Sequence, residues 1–153
     1  MTEPDRLKLL AMDDEDLAVI SAHVQDAVLK VGDLVNLPKE RRFALGMNRF
    51  IWEKADGRRE NFERRRAALT FDRVLSVKTS RVRRDRPEAV MELLAVGFEA
   101  TETPAGHVTL YFAGGGAVRL EVECIEARLA DLGAAWATRK KPSHDLAPDK
   151  ADA

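Results

Sequence analysis

The sequence predicts an α+β protein. One N-terminal amphipathic helix packs on a curved, mostly antiparallel sheet, or partly open barrel, of about six to seven strands. Three observations carry this reading. Residues 14–27 repeat apolar side chains at helical spacing. From Val28 onward the apolar period is two, interrupted by short polar turns. Two of the alternating runs flank Gly114-Gly115-Gly116, the mark of a hairpin whose glycines supply positive φ.

Residues 7–12, LKLLAM, read as a first strand. Asp13 follows as a helix N-cap, with Asp14, Glu15 and Asp16 in the first turn, where carboxylates meet orphan N–H groups and the positive end of the helix dipole. Leu17, Ile20, Val24 and Ala27 or Val28 share one face; Ser21, His23 and Gln25 face away. Residues 28–37 form a strand broken at Gly32-Asp33, and residues 38–41 form a polar turn opened by Pro38.

Residues 42–52 continue as a strand. Phe43, Leu45 and Met47 share a face but Phe50 and Trp52 have the opposite parity, so a bulge is expected near Asn48-Arg49. Residues 53–66 are a charged connection. Residues 66–79 resume alternation with Leu69, Phe71, Leu75 and Val77 on one side, and residues 80–88 form a second basic loop. Residues 90–99 are apolar on both faces, as a central or helix-covered strand is. After a turn at 100–106 comes the hairpin, with Val108, Leu110 and Phe112 before the glycines and Val118, Leu120, Val122 and Cys124 after them. Residues 125–132 fit a short C-terminal helix or a strand that flips face. The sequence leans to the helix because Gly133 suits a left-handed C′ position. Curvature is expected at Gly32, Asn48-Arg49 and the glycine turn, loosely like a pleckstrin-homology-type barrel in architecture, which licenses no function.

The chain of 153 residues fits a single domain over residues 1–136, with 137–153 a polar, proline-containing tail expected to be disordered. A lone Cys124, no secretory signal and no apolar run of membrane-spanning length point to a cytoplasmic protein. The net charge of −1 conceals segregation. Residues 1–27 hold seven acids against Arg6 and Lys8. Residues 58–86 hold eleven Lys/Arg against Glu60, Glu63, Asp72 and Asp85. Residues 98–133 are acidic again.

No catalytic set stands out. Gly114-Gly115-Gly116 precedes a strand with no following Lys, so it fits neither a P-loop nor a dinucleotide fingerprint. His23, His107 and His144 lack metal-ligand spacing, so neither a metal nor another cofactor is expected. Cys124 ends an apolar alternation and reads as a small buried hydrophobe. Glu121, Glu123 and Glu126 read as the solvent side of a half-buried sheet. The candidate binding residues are the arginines: Arg58, Arg59, Arg64, Arg65 and Arg66 in one loop, and Arg81, Arg83, Arg84 and Arg86 in another. If the fold brings these loops together they form an anion-attracting patch, with Phe62 able to stack on a base. The interleaved Glu60, Glu63 and Asp85, and a pI near 6.3, weigh against it.

The segments LKLLAMDDEDLAVISAHVQDAVLKVGDLVNLPKERRFAL and VTLYFAGGGAVRLEVECIEARLADLGAAWATR resemble the uncharacterised bacterial domain of unknown function 2948 family, over roughly residues 7–145. The resemblance implies a small stand-alone bacterial cytoplasmic protein and carries over no activity, cofactor or catalytic residue. The function expected is a non-catalytic binding or adaptor module, its arginine face engaging an acidic protein or nucleic acid and not a membrane. The alternatives are an enzyme with a site near His107, Arg119 and Glu121, or a homo-oligomeric structural protein.

Overall fold

Asp13 starts the one α-helix among the described residues, its Oδ1 accepting the Asp16 N–H at 2.8 Å. The computed structural model describes residues 6–51, 63–133 and 136–137. In chain order these form β1 (Lys8–Ala11), α1 (Asp14–Val24), β2 (Ala27–Lys30), β3 (Leu34–Leu37), β4 (Arg42–Phe50), β5 (Glu63–Phe71), β6 (Val74–Ser80), β7 (Val90–Ala100), β8 (Gly106–Phe112), β9 (Ala117–Val122), β10 (Ala127–Asp131) and β11 (Trp136–Ala137).

All the strands belong to one sheet, in the order β1-β10-β5-β4-β2-β7-β8-β9-β6, with β11 added beside β5 and β3 beside β4. Every pairing is antiparallel, as short connections favour. The sheet is open, with β1 and β6 as its terminal strands. It is also strongly curled. β5 runs into β6 through only Asp72-Arg73, although β4, β2, β7, β8 and β9 lie between them in the sheet. The inner face and α1 share one core, including Leu17, Ile20, Leu45, Leu69, Leu93, Leu110 and Leu120.

The α+β class and the curved antiparallel sheet agree with the sequence; the strand number is larger than expected, for local reasons. The break expected at Gly32-Asp33 is a 3-10 turn, Val31–Asp33, which makes two strands of residues 28–37. The run 66–79 is also two strands, because Arg73 takes a left-handed φ of 64° at the corner. Parity is lost there: Val74 is buried while Leu75, expected beside Leu69 and Phe71, is exposed. Residues 127–131 are a strand and not the short helix, since pairing with both β1 and β5 satisfies their backbone along both edges.

Three smaller corrections matter for the site. Helix α1 stops at Val24, because Asp26 at φ 64° reverses the chain and Ala27 already pairs with Leu93. Ser21, expected to face away, turns toward the sheet; its Oγ accepts the Val96 N–H at 2.9 Å, next to the Leu93/Ala95 irregularity of β7. No bulge interrupts β4 at Asn48-Arg49: its register with β5 runs unbroken from Phe43↔Phe71 to Phe50↔Arg64. Arg49 therefore continues the inward face of Phe43, Leu45 and Met47. The expected tail 137–153 lies outside the described residues except for Ala137 in β11.

Candidate anion-binding surface

Charge continues the apolar inner face of three adjacent strands. On β4, Arg49 follows Phe43, Leu45 and Met47; on β5, Arg65 precedes Ala67, Leu69 and Phe71; on β10, Asp131 follows Ala127 and Leu129. Register places Arg49 opposite Arg65 and Asp131 opposite Ala67, so the three charges converge. The Arg49 and Asp131 side chains are both sealed from solvent, with Nε–Oδ1 at 2.8 Å and Nη2–Oδ2 at 3.0 Å. This is the bidentate fork that suits guanidinium to carboxylate. Arg65 Nη1 lies 3.5 Å from Asp131 Oδ2, and its buried Nε has no hydrogen-bond partner among the described residues. The Leu7 N–H also donates to Asp131 Oδ2, at 2.7 Å. Burial works to raise the Asp131 carboxyl, but the Arg49 hydrogen bond, the Leu7 N–H and the charges of Arg49 and Arg65 outweigh it and hold it below the usual carboxylate range.

On the other face of β5, Arg64 is buried, its guanidinium 5.9 Å from the Phe50 ring centroid and its Nη1 donating to the Asn48 carbonyl at 3.0 Å. Arg66 is half-buried and reaches Asn48 Oδ1 and Asp33 Oδ1, both at 3.3 Å. The placement of Arg64, Arg65 and Arg66 in a loop is thus corrected: they lie on strand β5, where pairing with β4 fixes two of them inside the fold. Arg58 and Arg59, with Phe62, lie outside the described residues.

The second cluster differs. Arg81, Arg83, Arg84 and Arg86 are all exposed on the connection between β6 and β7. The backbone of this loop is anchored: the Arg86 N–H donates to Arg83 O, the Ala89 N–H to Arg86 O, the Gly32 N–H to Pro87 O and the Val31 N–H to Ala89 O, at 2.8–2.9 Å. The Val31–Asp33 turn therefore touches both arginine groups, the loop through Val31 and Gly32 and strand β5 through Asp33–Arg66. The loop's acids are engaged, Asp85 facing Arg83 at 3.7 Å and Glu88 facing Lys30 at 3.5 Å. Arg81, Arg84 and Arg86 have no side-chain partner among the described residues.

His107, Arg119 and Glu121 do come together, on the outer face of β8 and β9. Arg119 Nη2 is 3.4 Å from His107 Nε2, His107 pairs in register with Glu121, and Ser76 Oγ donates to Glu121 Oε1 at 3.0 Å. Arg119 and Glu121 are exposed. Among the described residues no group of three or more His, Cys, Asp or Glu side chains is placed to hold a metal ion, and no helix is long and apolar enough to cross a membrane. Cys124 is a free, half-buried thiol in the bend after β9.

Sequence reasoning missed Asp131 and Arg49. The signal was the inward parity of each strand ending on a charge, of opposite sign on β4 and β10. Fold and surface together define a small α+β protein built on a curled antiparallel sheet, with one set of arginines inside it and another displayed on a loop. By sequence the chain belongs to the family described as Protein of unknown function (DUF2948), whose model matches residues 7–144. No curated protein and no solved structure matches it.

Proposed function

We propose that this protein is a non-catalytic binding module that engages an anionic partner through the loop carrying Arg81, Arg83, Arg84 and Arg86. The observation that carries the proposal is the unneutralised charge of this loop: Arg81, Arg84 and Arg86 stand exposed without side-chain partners among the described residues, on an anchored backbone. Guanidinium groups without a partner break no ion pair on meeting phosphate or carboxylate, and offer planar bidentate contacts to both. Arg64 and Arg65, by contrast, contribute to the fold, so the binding surface is smaller than the full run of arginines in residues 58–86. His107, Arg119 and Glu121 stand on an open sheet face and not in a water-excluded site, which favours binding over chemistry.

Titration with heparin, RNA and polyglutamate over a salt series tests the reading. Binding is expected to weaken linearly on a log–log scale as salt rises, and the triple variant R81E/R84E/R86E is expected to abolish it while its circular dichroism is unchanged. Salt-independent binding, or full binding by the triple variant, overturns the proposal.

A further inference from the structure

Strands β6, β9, β8 and β7 present an outer face that leads directly into the arginine loop. Register orders its side chains in three rows. Ser80, Ala117, Tyr111 and Ala95 form the row nearest the loop; Lys78, Arg119, Thr109 and Gly97 form the next; Ser76, Glu121, His107 and Glu99 form the last. The face is therefore polarised, acidic at the far end and basic toward the loop.

Two features of this face suit a ligand. The first is Tyr111, 49% exposed in the middle of a sheet. Its neighbours across the strands are the small Ala117 and Ala95, and its ring leans over Gly97, Cε2 lying 3.6 Å from where a Cβ would stand. With only small side chains beside it, about half of the Tyr111 surface stays accessible to a ligand. The second is the pairing of Lys78 directly opposite Arg119. Like charges at directly opposed positions oppose sheet formation, and Lys78 has no ion-pair partner among the described residues. Arg81, immediately after Ser80, places its Nη1 2.9 Å from where a Gly115 Cβ would sit, at the Tyr111 end of the face.

We infer that this face binds single-stranded nucleic acid, Tyr111 stacking on a base while Lys78, Arg119 and Arg81 meet the phosphates. The inference rests on the anionic-partner reading above and names the partner's class. An exposed aromatic ring beside cations that no carboxylate neutralises among the described residues matches a chain that alternates planar bases with phosphates. An acidic peptide would use the cations and leave the ring idle. The small residues of the first row give a base room to lie on the ring, and the acids of the last row direct the strand toward the arginine loop.

Fluorescence anisotropy with labelled oligouridylate and oligothymidylate, and with polyglutamate as a polyanion without bases, tests the inference on the full chain. Y111A is expected to weaken oligonucleotide binding by about fivefold or more, the effect of losing one stacked base. Y111F keeps the aromatic face and is expected to bind as the wild type does, and K78A/R119A is expected to lower the salt slope. Unchanged oligonucleotide binding by Y111A overturns the role of this face while leaving the loop proposal standing. Binding of polyglutamate without binding of either oligonucleotide overturns the nucleic-acid class alone. Failure to bind any of the three overturns both readings.

Discussion

Arg49 on β4 grips Asp131 on β10 across the intervening strand β5, through contacts of 2.8 and 3.0 Å between side chains wholly removed from solvent. Arg65 stands beside the pair at 3.5 Å. The cluster sits where the apolar inner face of the sheet ends, and a buried charge without its counter-charge is costly. Asp131→Ala is expected to destabilise the protein by about 3–5 kcal/mol, because it leaves two guanidinium groups without their shared carboxylate. Urea unfolding midpoints check this. A double-mutant cycle with Arg49→Met should show strong coupling, and additive losses would mean that the pair does not act as a unit.

The same carboxylate makes stability depend on pH in a defined direction. Its folded-state affinity for a proton lies below that of an unfolded Asp. Its contribution is therefore fully present above the unfolded value of about 3.9, and is lost as pH falls through the lower folded value. Asp131→Asn imitates the protonated state at every pH. The stability gap between wild type and Asp131→Asn is expected to be constant at neutral pH and to close as pH drops below about 4. A gap of the same size at pH 3 and pH 7 would contradict the linkage.

Much of the fold was legible because local chemistry and tertiary context agreed. The Asp13 cap, the Leu17–Ile20–Val24 stripe, the glycine hairpin and the paired runs 108–112 and 118–122 all occur where their periodicity places them. Reading failed where a charge occupied an inward position. The opposite parity of Phe50 and Trp52 predicts a bulge at Asn48-Arg49 where β4 runs unbroken, and the charge of residues 53–66 predicts a loop where Arg65 lies in β5, because polarity signals solvent unless the counter-charge is known. That counter-charge lies 82 residues away from Arg49, on Asp131. Residues 125–132 fit helix or strand for a related reason: a short apolar run is compatible with either period, and only the two strands beside 127–131 decide. The candidate surface was legible in part. The exposed arginine loop stood in the sequence, whereas Tyr111 beside Ala95, Gly97 and Ala117 required the register.

The helix start offers a simpler test. Asp13 Oδ1 accepts the Asp16 N–H at 2.8 Å, and Asp16 Oδ2 accepts the Met12 N–H at 3.3 Å. Asp13→Ala removes the cap and is expected to cost about 1 kcal/mol, whereas Asp13→Asn retains an acceptor and costs less. Equal losses in thermal unfolding would show that the carboxylate charge, not the cap, is what matters.

Ser21 ties the helix to the sheet at the irregular part of β7. Its hydroxyl takes the Val96 N–H, and Val96 is buried. Ser21→Ala removes the acceptor and is expected to cost about 1–3 kcal/mol, the penalty of an unsatisfied buried donor. Hydrogen exchange at the Val96 amide gives a local readout: it should lose protection in the variant more than amides in β4 do. Uniform loss across the sheet would indicate a global effect without a specific tie.

The arginines should separate into two groups by what their loss changes. Arg65 is buried against Asp131, so Arg65→Ala is expected to lower stability. Arg84 and Arg86 are exposed and unpaired among the described residues, so Arg84→Ala and Arg86→Ala should leave stability within about 0.5 kcal/mol. Binding should behave in the opposite way. Each loop substitution should reduce the salt slope of polyanion binding by about one, as loss of a phosphate contact does. Arg65→Ala, assayed under conditions where it is folded, should keep the wild-type slope. If it instead loses binding while the loop variants keep theirs, the anion site lies on β5 and the buried arginine belongs to it. Charge density in the sequence places both groups in one basic segment; burial separates them, and opposite responses in these two measurements are what separate roles require.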